Sequence, residues 1–209
     1  MRELNSADLE AMRLPRRFWS AFFDKINGPN GDGSEVRTMI AGYVSNIHAM
    51  RNAGAGLLIW GPNGTGKTSI GSVILKHARR MGFTCLFINT ASLKDVIVSR
   101  EVYDQESGLT LWNRAKIVDF LLLDDLGKGS QDSTGFGERM IDELIRARYA
   151  DNRCTIITTN IPKSNLTDFI KPSTLHILKG SSAQIKVDFY DFRVEEGKRI
   201  RDLINGGKQ

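Results

Sequence analysis

Cysteine is scarce in this 209-residue sequence: Cys85 and Cys154 are the only two, and each sits inside an apolar run, "TCLFI" and "CTIITT". That placement argues for packed core thiols and against a disulfide framework or a cysteine-ligated metal. No stretch of about 18 apolar residues occurs and no basic-then-apolar leader opens the chain, so neither a membrane span nor an export signal is expected. The expected location is cytoplasmic. Internal repeats are absent. Charge of one sign is only mildly in excess: 29 Lys and Arg against 24 Asp and Glu give +5 and a pI near 9.3. Such a bias permits a nucleic-acid partner without requiring one, because solubility alone accounts for it. With 41% hydrophobic and 25% charged residues the balance is that of a globular chain. The length suits one α/β domain with an appendage.

What is present is an alternation. Short apolar runs at 56–60, 84–89, 118–124, 154–159 and 183–190 read as strands. Helical spacing marks 36–50, 67–80, 91–101, 110–117, 136–150 and 164–178, with a short helix at 6–13. Polar loops are expected at 27–35 and 127–135. Five strands separated mostly by helices imply right-handed crossovers and a parallel sheet covered on both faces. The division expected is a short N-terminal segment with a flexible loop (1–34), a catalytic domain (35–195) and a basic tail (196–209).

The first strand runs directly into "GPNGTGKTS". Gly61, Gly66, Lys67 and Thr68 fill every fixed place of the phosphate-loop pattern G-x-x-x-x-G-K-[ST]. Its glycines let the backbone curl so that N–H groups face phosphate oxygens at the positive end of the following helix. Gly61, Pro62, Asn63, Gly64, Thr65, Gly66, Lys67, Thr68 and Ser69 are therefore the candidate nucleotide-binding residues. Lys67 reaches the β- and γ-phosphates, and the Thr68 hydroxyl is a ligand for Mg²⁺. ATP and Mg²⁺ are the expected cofactors.

"FLLLDDLG" sets two carboxylates side by side after a buried run. A lone aspartate there would be read as a turn cap. Beside a phosphate loop, Asp124 is placed as the carboxylate that holds Mg²⁺, and Asp125 as the group that orients and deprotonates the attacking water. The strand at 84–89, lying between Thr68 and Asp124 in sequence, suggests an extra strand beside the phosphate-loop strand. "TIITTN" ends the next strand. Its Asn160 would stand between the two sites and hydrogen-bond the water or the γ-phosphate; the alternative is a plain turn asparagine before "IP".

"GPNGTGKTS", "FLLLDDLG", "GERMIDELIRARY" and "TIITTN", in this order and spacing, resemble the AAA+ ATPases of the DnaC/DnaI helicase-loader and IstB transposition-helper group. The likeness extends over roughly 15–195, taking in "LPRRFWSAFFDKI" and "VDFYDFR". It implies a three-layer P-loop NTPase of AAA+ type with a five-stranded parallel sheet and little or no separate lid domain. The implied activity is ATP binding with slow hydrolysis, in loading or remodelling a replicative DNA helicase. The runner-up is an IstB-like transposition helper acting with a transposase, and a third reading is a nucleotide-holding decoy that blocks a host helicase. Homo-oligomers when ATP is bound, and single-stranded DNA, are implied partners; a membrane is not.

Two departures from the group stand out. About fourteen residues precede "LPRRF", too few for the group's extra N-terminal domain. The group also carries arginines after the sensor asparagine, one acting in trans on a neighbour's γ-phosphate and one in cis. Here no arginine lies between Arg153 and Arg193, and "DFIKPSTLHILKG" offers Lys171, His176 and Lys179 instead. Lysine does not reproduce the planar guanidinium fork, so hydrolysis is expected to be weak without a partner. Arg139, Arg146 and Arg148 on the "GERMIDELIRARY" helix, with Lys171, are the candidate trans-acting groups; otherwise they form a solvated face. Arg193, Lys198, Arg199 and Arg201, and separately Arg79 with Arg80, are candidates for DNA contact. A small-molecule kinase is disfavoured by the paired carboxylates, the extra strand, the sensor-like Asn160 and the absence of an arginine-rich lid.

Overall fold

Four buried apolar runs and one part-exposed edge stretch, "SAQIK", become five parallel strands. They are β1 (Gly56–Trp60), β2 (Cys85–Asn89), β5 (Phe120–Leu126), β6 (Cys154–Thr159) and β7 (Ser182–Lys186), in the spatial order β2-β5-β6-β1-β7. The computed structural model describes residues 2–23, 26, 33–98, 102–104, 108–127 and 135–204. The strand standing between the phosphate-loop strand β1 and the carboxylate strand β5 is β6, while β2 lies at the edge. A two-stranded antiparallel pair, β3 (Val102–Asp104) and β4 (Leu109–Thr110), has no counterpart in the sequence reading.

Alternation along each strand separates two cores. Leu57, Ile59, Phe87, Phe120, Leu122 and Ile156 share one cluster with Ile40 and Tyr43 of α2 (Ser34–Ser45) and with Ile70 and Ile74 of α4 (Lys67–Arg80). Leu58, Leu86, Leu121, Leu123 and Ile157 share the other with Leu144 of α7 (Phe136–Ala150) and Leu175 of α8 (Pro172–Ser181). Around this second core also lie α5 (Leu93–Val98) and α6 (Leu111–Ile117). Helix, sheet, helix is the three-layer α/β arrangement expected.

Several boundaries differ from the sequence reading, each for a local reason. The helix expected over 36–50 breaks at Asn46, whose side-chain amide donates to the Gly42 carbonyl at 2.9 Å and competes with the helical ladder. A new helix, α3 (Ile47–Ala53), follows and stops at Gly54, left-handed at φ 63°. The stretch 164–178 divides into a 3₁₀ turn (Lys163–Asp168) and α8, which starts on Pro172.

The segment before residue 34 is not set apart from the domain. Its helix α1 (Ser6–Ala11) is closed by a capping box of Asn5 and Asp8, and Leu9, Met12 and Leu14 join the first core. The Phe87 N–H, on the outer side of edge strand β2, donates to the Met12 carbonyl at 2.8 Å. The expected tail begins inside a helix, α9 (Phe192–Ile204). Residues 27–32 and 128–134 of the two expected loops, and 205–209 of the tail, lie outside the described residues. Among the described residues no helix is long and apolar enough to cross a membrane.

Candidate active site

The loop after β1 closes on itself before α4 begins. Gly64 and Gly66 hold φ of 82° and 86°, and a Cβ on Gly61 would meet the Val187 carbonyl oxygen at 2.0 Å. No side chain fits at Gly61, so the glycine is required by packing as well as by turn geometry. The Thr65 hydroxyl donates to the Pro62 carbonyl at 3.0 Å. Lys67, buried at 7% exposure, folds over the loop and donates to the carbonyls of Gly61 (2.9 Å) and Pro62 (2.5 Å). Its ammonium therefore lies over the curl of backbone at the N-terminus of a 14-residue helix, where an anion is favoured.

Asp124 lies across the sheet from this loop and within reach of it. Its Oδ1 accepts hydrogen bonds from the Thr68 hydroxyl at 2.7 Å and the Thr158 hydroxyl at 2.6 Å. Burial raises its pKa above the ordinary carboxylate value; the Thr158 and Thr68 hydrogen bonds partly offset that, and neighbouring Asp125 adds to it. One carboxylate and one hydroxyl are hard oxygen donors suited to Mg²⁺. No group of three or more His, Cys, Asp or Glu side chains gathers among the described residues. That donor set fits an ion held by two protein oxygens and completed by phosphates and water, as is usual for Mg²⁺ with nucleotides.

Asp125 departs from the strand. Pairing with β6 shifts register between Leu123 and Leu126, and Asp125 sits in that bulge at φ 62°, a conformation few side chains adopt. Three polar neighbours hold it there. Its N–H donates to the Thr158 hydroxyl at 2.9 Å, its carbonyl accepts from Thr90 at 2.7 Å, and its carboxylate accepts from the Asn160 amide at 2.6 Å. The bulge turns two consecutive aspartates toward different tasks: Asp124 stays buried against Thr68, while Asp125 is half-buried beside Asn160. Lys67, Thr68, Asp124, Asp125 and Asn160 thus converge at the carboxyl end of the sheet.

Some of this the sequence reading missed. Thr158 joins the Asp124 carboxylate to the Asp125 backbone N–H through one hydroxyl, Asn89 also hydrogen-bonds Asp124, and Thr90 supports the Asp125 carbonyl. The doubled threonine of "TTN" was the available signal. Also missed was a cavity of about 140 Å³ beside the loop, lined by Phe22, Ile26, Thr65, Ile70, Phe189 and Phe192 among others. The strap after β7 crosses the phosphate loop and supplies Phe189 and Phe192 to this lining: the Val187 N–H donates to the Trp60 carbonyl at 2.8 Å and the Phe192 N–H to the Gly64 carbonyl at 3.0 Å.

The basic candidates scatter. Arg148 cannot act in trans: it is 0% exposed, and its guanidinium donates to the carbonyls of Ala115, Val118 and Cys154 and to the Thr155 hydroxyl. It is a structural tie, and burial depresses its pKa to about 9. Arg146 and Lys171 both pair with Asp142, at 2.8 and 3.1 Å, which fastens α7 to α8. Arg139 is exposed near the start of α7. His176 and Lys179 lie on α8, away from the carboxylates in sequence and element. Arg193, grouped in sequence with Lys198, Arg199 and Arg201, is exposed in the first turn of α9, its backbone N–H donating to the Asp191 carboxylate at 2.9 Å. Arg79 pairs with Asp8 of α1 at 3.1 Å, and Arg80 closes α4 beside it. Cys85 and Cys154 are buried free thiols, as expected.

Known proteins share this arrangement. The structure is similar to the DnaC helicase loader, with a TM-score of 0.68 at 22% identity, over 83% of this chain and 99% of that one. It is likewise similar to DnaI, with a TM-score of 0.67 at 17% identity, over 86% and 94% of the two chains. At these identities the likeness shows the fold alone, a three-layer α/β arrangement around a five-stranded parallel sheet. In sequence the chain is 34% identical over 145 residues to the ATP-binding protein of insertion sequence IS1162 from Pseudomonas fluorescens. That match takes in 69% of this chain and 58% of the relative, so the chain spans little more than half the relative's length. The IstB-like ATP-binding protein family matches residues 39–176, from α2 into α8 and through every candidate catalytic residue. The chain belongs to the IstB-like ATP-binding protein family.

Proposed function

We propose that this protein is a slow, Mg²⁺-dependent ATPase whose nucleotide state controls its assembly with a DNA-handling partner. The carrying observation is the shared hydroxyl of Thr158. It couples Asp124, hydrogen-bonded to Thr68, with Asp125, displaced by the bulge toward Asn160. In this reading the loop N–H groups and Lys67 bind the β- and γ-phosphates. Thr68 and Asp124 would hold Mg²⁺, which would supply positive charge to the phosphate oxygens. Asp125 accepts the proton of the attacking water, and Asn160 keeps its carboxylate aimed. Of the candidate trans-acting groups, Arg146 and Lys171 would first have to leave Asp142. Asp125→Asn should lower turnover by about 100-fold or more, with the ATP dissociation constant little changed. Turnover that survives the substitution would remove Asp125 from the reaction.

Two partners fit. The replicative-helicase reading is supported by the fold likeness to a helicase loader. The transposition-helper reading is supported by the family and by the insertion-sequence relative, at the higher identity. Mass photometry of the full chain with each partner, with and without ATP and Mg²⁺ and with Lys67→Ala as control, separates them. A nucleotide- and Lys67-dependent complex with the transposase but not the helicase selects the second reading, and the reverse selects the first. No complex with either leaves a nucleotide-holding protein that acts by another route.

A further inference from the structure

Lys76 lies nine residues beyond Lys67 on the same helix, and at 3% exposure it is more deeply buried than Lys67. Its ammonium does not point to the phosphate loop. It donates to the carbonyl oxygens of Phe18 at 3.3 Å, of Trp19 at 2.9 Å and, still closer, of Ala21. These carbonyls lie at and just after the end of the 3₁₀ turn Arg16–Phe18, and the Phe18 carbonyl also accepts from the Ala21 N–H at 3.1 Å. An ammonium has three N–H donors and no acceptor, so the two sets match in number.

The segment so held has open volume on both sides. Ala21 and Phe22 line the cavity of about 140 Å³ beside Thr65, Gly66 and Ser69. The same two residues line a second, larger groove, about 410 Å³, against Ala41, Val44 and Val73 of α2 and α4. Phe18, Trp19 and Phe23 pack on the core, but residues 21 and 22 stand as a partition between two spaces and Phe22 is 53% exposed. A partition with little packing on either face needs another restraint. Lys76 supplies it, with its charge 5.2 Å from the centre of the Phe22 ring.

We propose that Lys76 is a positioning residue for nucleotide recognition: its three hydrogen bonds to the carbonyls of Phe18, Trp19 and Ala21 hold the Ala21–Phe22 wall against the cavity where the base of a nucleoside triphosphate stacks. This inference rests on the nucleotide-binding reading above and adds a division of labour within α4. Lys67 at its start serves the phosphates, and Lys76 two and a half turns later serves the base through the N-terminal segment.

Tripolyphosphate, which has the phosphates but no base, separates the two roles. The full chain and its Lys76→Met variant are titrated with ATP and with tripolyphosphate in the presence of Mg²⁺, and thermal unfolding without ligand checks the fold. Loss of a stacking wall should weaken ATP binding by about tenfold in Lys76→Met and leave tripolyphosphate affinity within about twofold. Equal weakening of both ligands would make Lys76 a general support of the helix and overturn the proposal, as would unchanged ATP affinity. If Lys76→Met does not fold, Phe22→Ala tests the same wall at an exposed position; an unaltered preference for ATP over tripolyphosphate in that variant overturns the proposal. Wild-type protein that binds neither ligand would overturn the nucleotide reading, and this inference with it.

Discussion

Asp124 and Asp125 are chemically identical neighbours, and their surroundings divide them. Asp124 is buried and its pKa lies above the ordinary value, so the folded protein is under tension when that carboxylate is ionised. A native-state pKa raised above the unfolded value means that stability is lost as pH rises from the unfolded value through the native one. Asp124→Asn removes the charge and keeps an oxygen for Thr68 and Thr158. The variant should gain roughly 1 kcal/mol, a rise of about 2–4 °C in Tm, and lose Mg²⁺-dependent hydrolysis. A variant that melts lower than wild type would show that the ionised carboxylate stabilises the fold. The pair could be read in sequence because a double acid after a buried apolar run is unusual. The positive φ of Asp125 could not, because a bulge depends on which residues of β6 lie opposite.

At the scale of elements, the helix α7 shows where a pattern misleads. Its "GERMIDELIRARY" stretch offers three arginines, which in sequence look alike as groups for a neighbour's nucleotide. Packing sorts them: Arg139 faces outward, Arg146 is spent on Asp142 and Arg148 is interior. Arg148 joins α7 to the end of α6 and to the start of β6 through five acceptors. Arg148→Met fills much of the same space but leaves those acceptors without this donor, at a cost of about 3 kcal/mol or more. Urea unfolding should show the loss as a lowered midpoint with unchanged slope. A midpoint within error of wild type would mean that water or a shifted backbone satisfies the same carbonyls. Helix existence was legible from apolar spacing; a buried guanidinium was not, because arginine is so often exposed that spacing alone assigns it to solvent.

Across the whole molecule, acidic side chains tie together segments distant in sequence. Asp119 pairs with Arg51 at 2.6 Å and Arg153 at 2.8 Å, and also accepts from Thr84; Asp142 joins α7 to α8. At Asp119 burial opposes ionisation, but the Thr84 backbone N–H and Arg51 outweigh it and hold the pKa below the ordinary value. At Asp142 burial is likewise outweighed, by Thr174, Arg146 and Lys171. Carboxylates with depressed native pKa values stabilise the fold above the unfolded value, about 4, and lose that contribution as pH falls through the native values. Stability should therefore fall steeply below about pH 4, and Asp119→Asn should flatten that slope while lowering stability at neutral pH. An unchanged acid limb in Asp119→Asn would assign acid unfolding to other groups.

The reach of the sequence follows from the range of the interactions involved. The phosphate loop, the two carboxylates, Asn160, the five strands and the parallel sheet were legible because each depends on short-range pattern: glycine where the backbone must curl, alternation or apolar runs where a strand is buried. The placement of β6 beside β1, the bulge at Asp125, the Thr158 bridge and the burial of Arg148 depend on contacts between residues some 30 or more positions apart. So does the path of the strap from Val187 to Phe192 across the loop, which brings the start of α9 to the phosphate loop. Those contacts are chosen by how whole elements pack, a choice written in no local stretch of the chain.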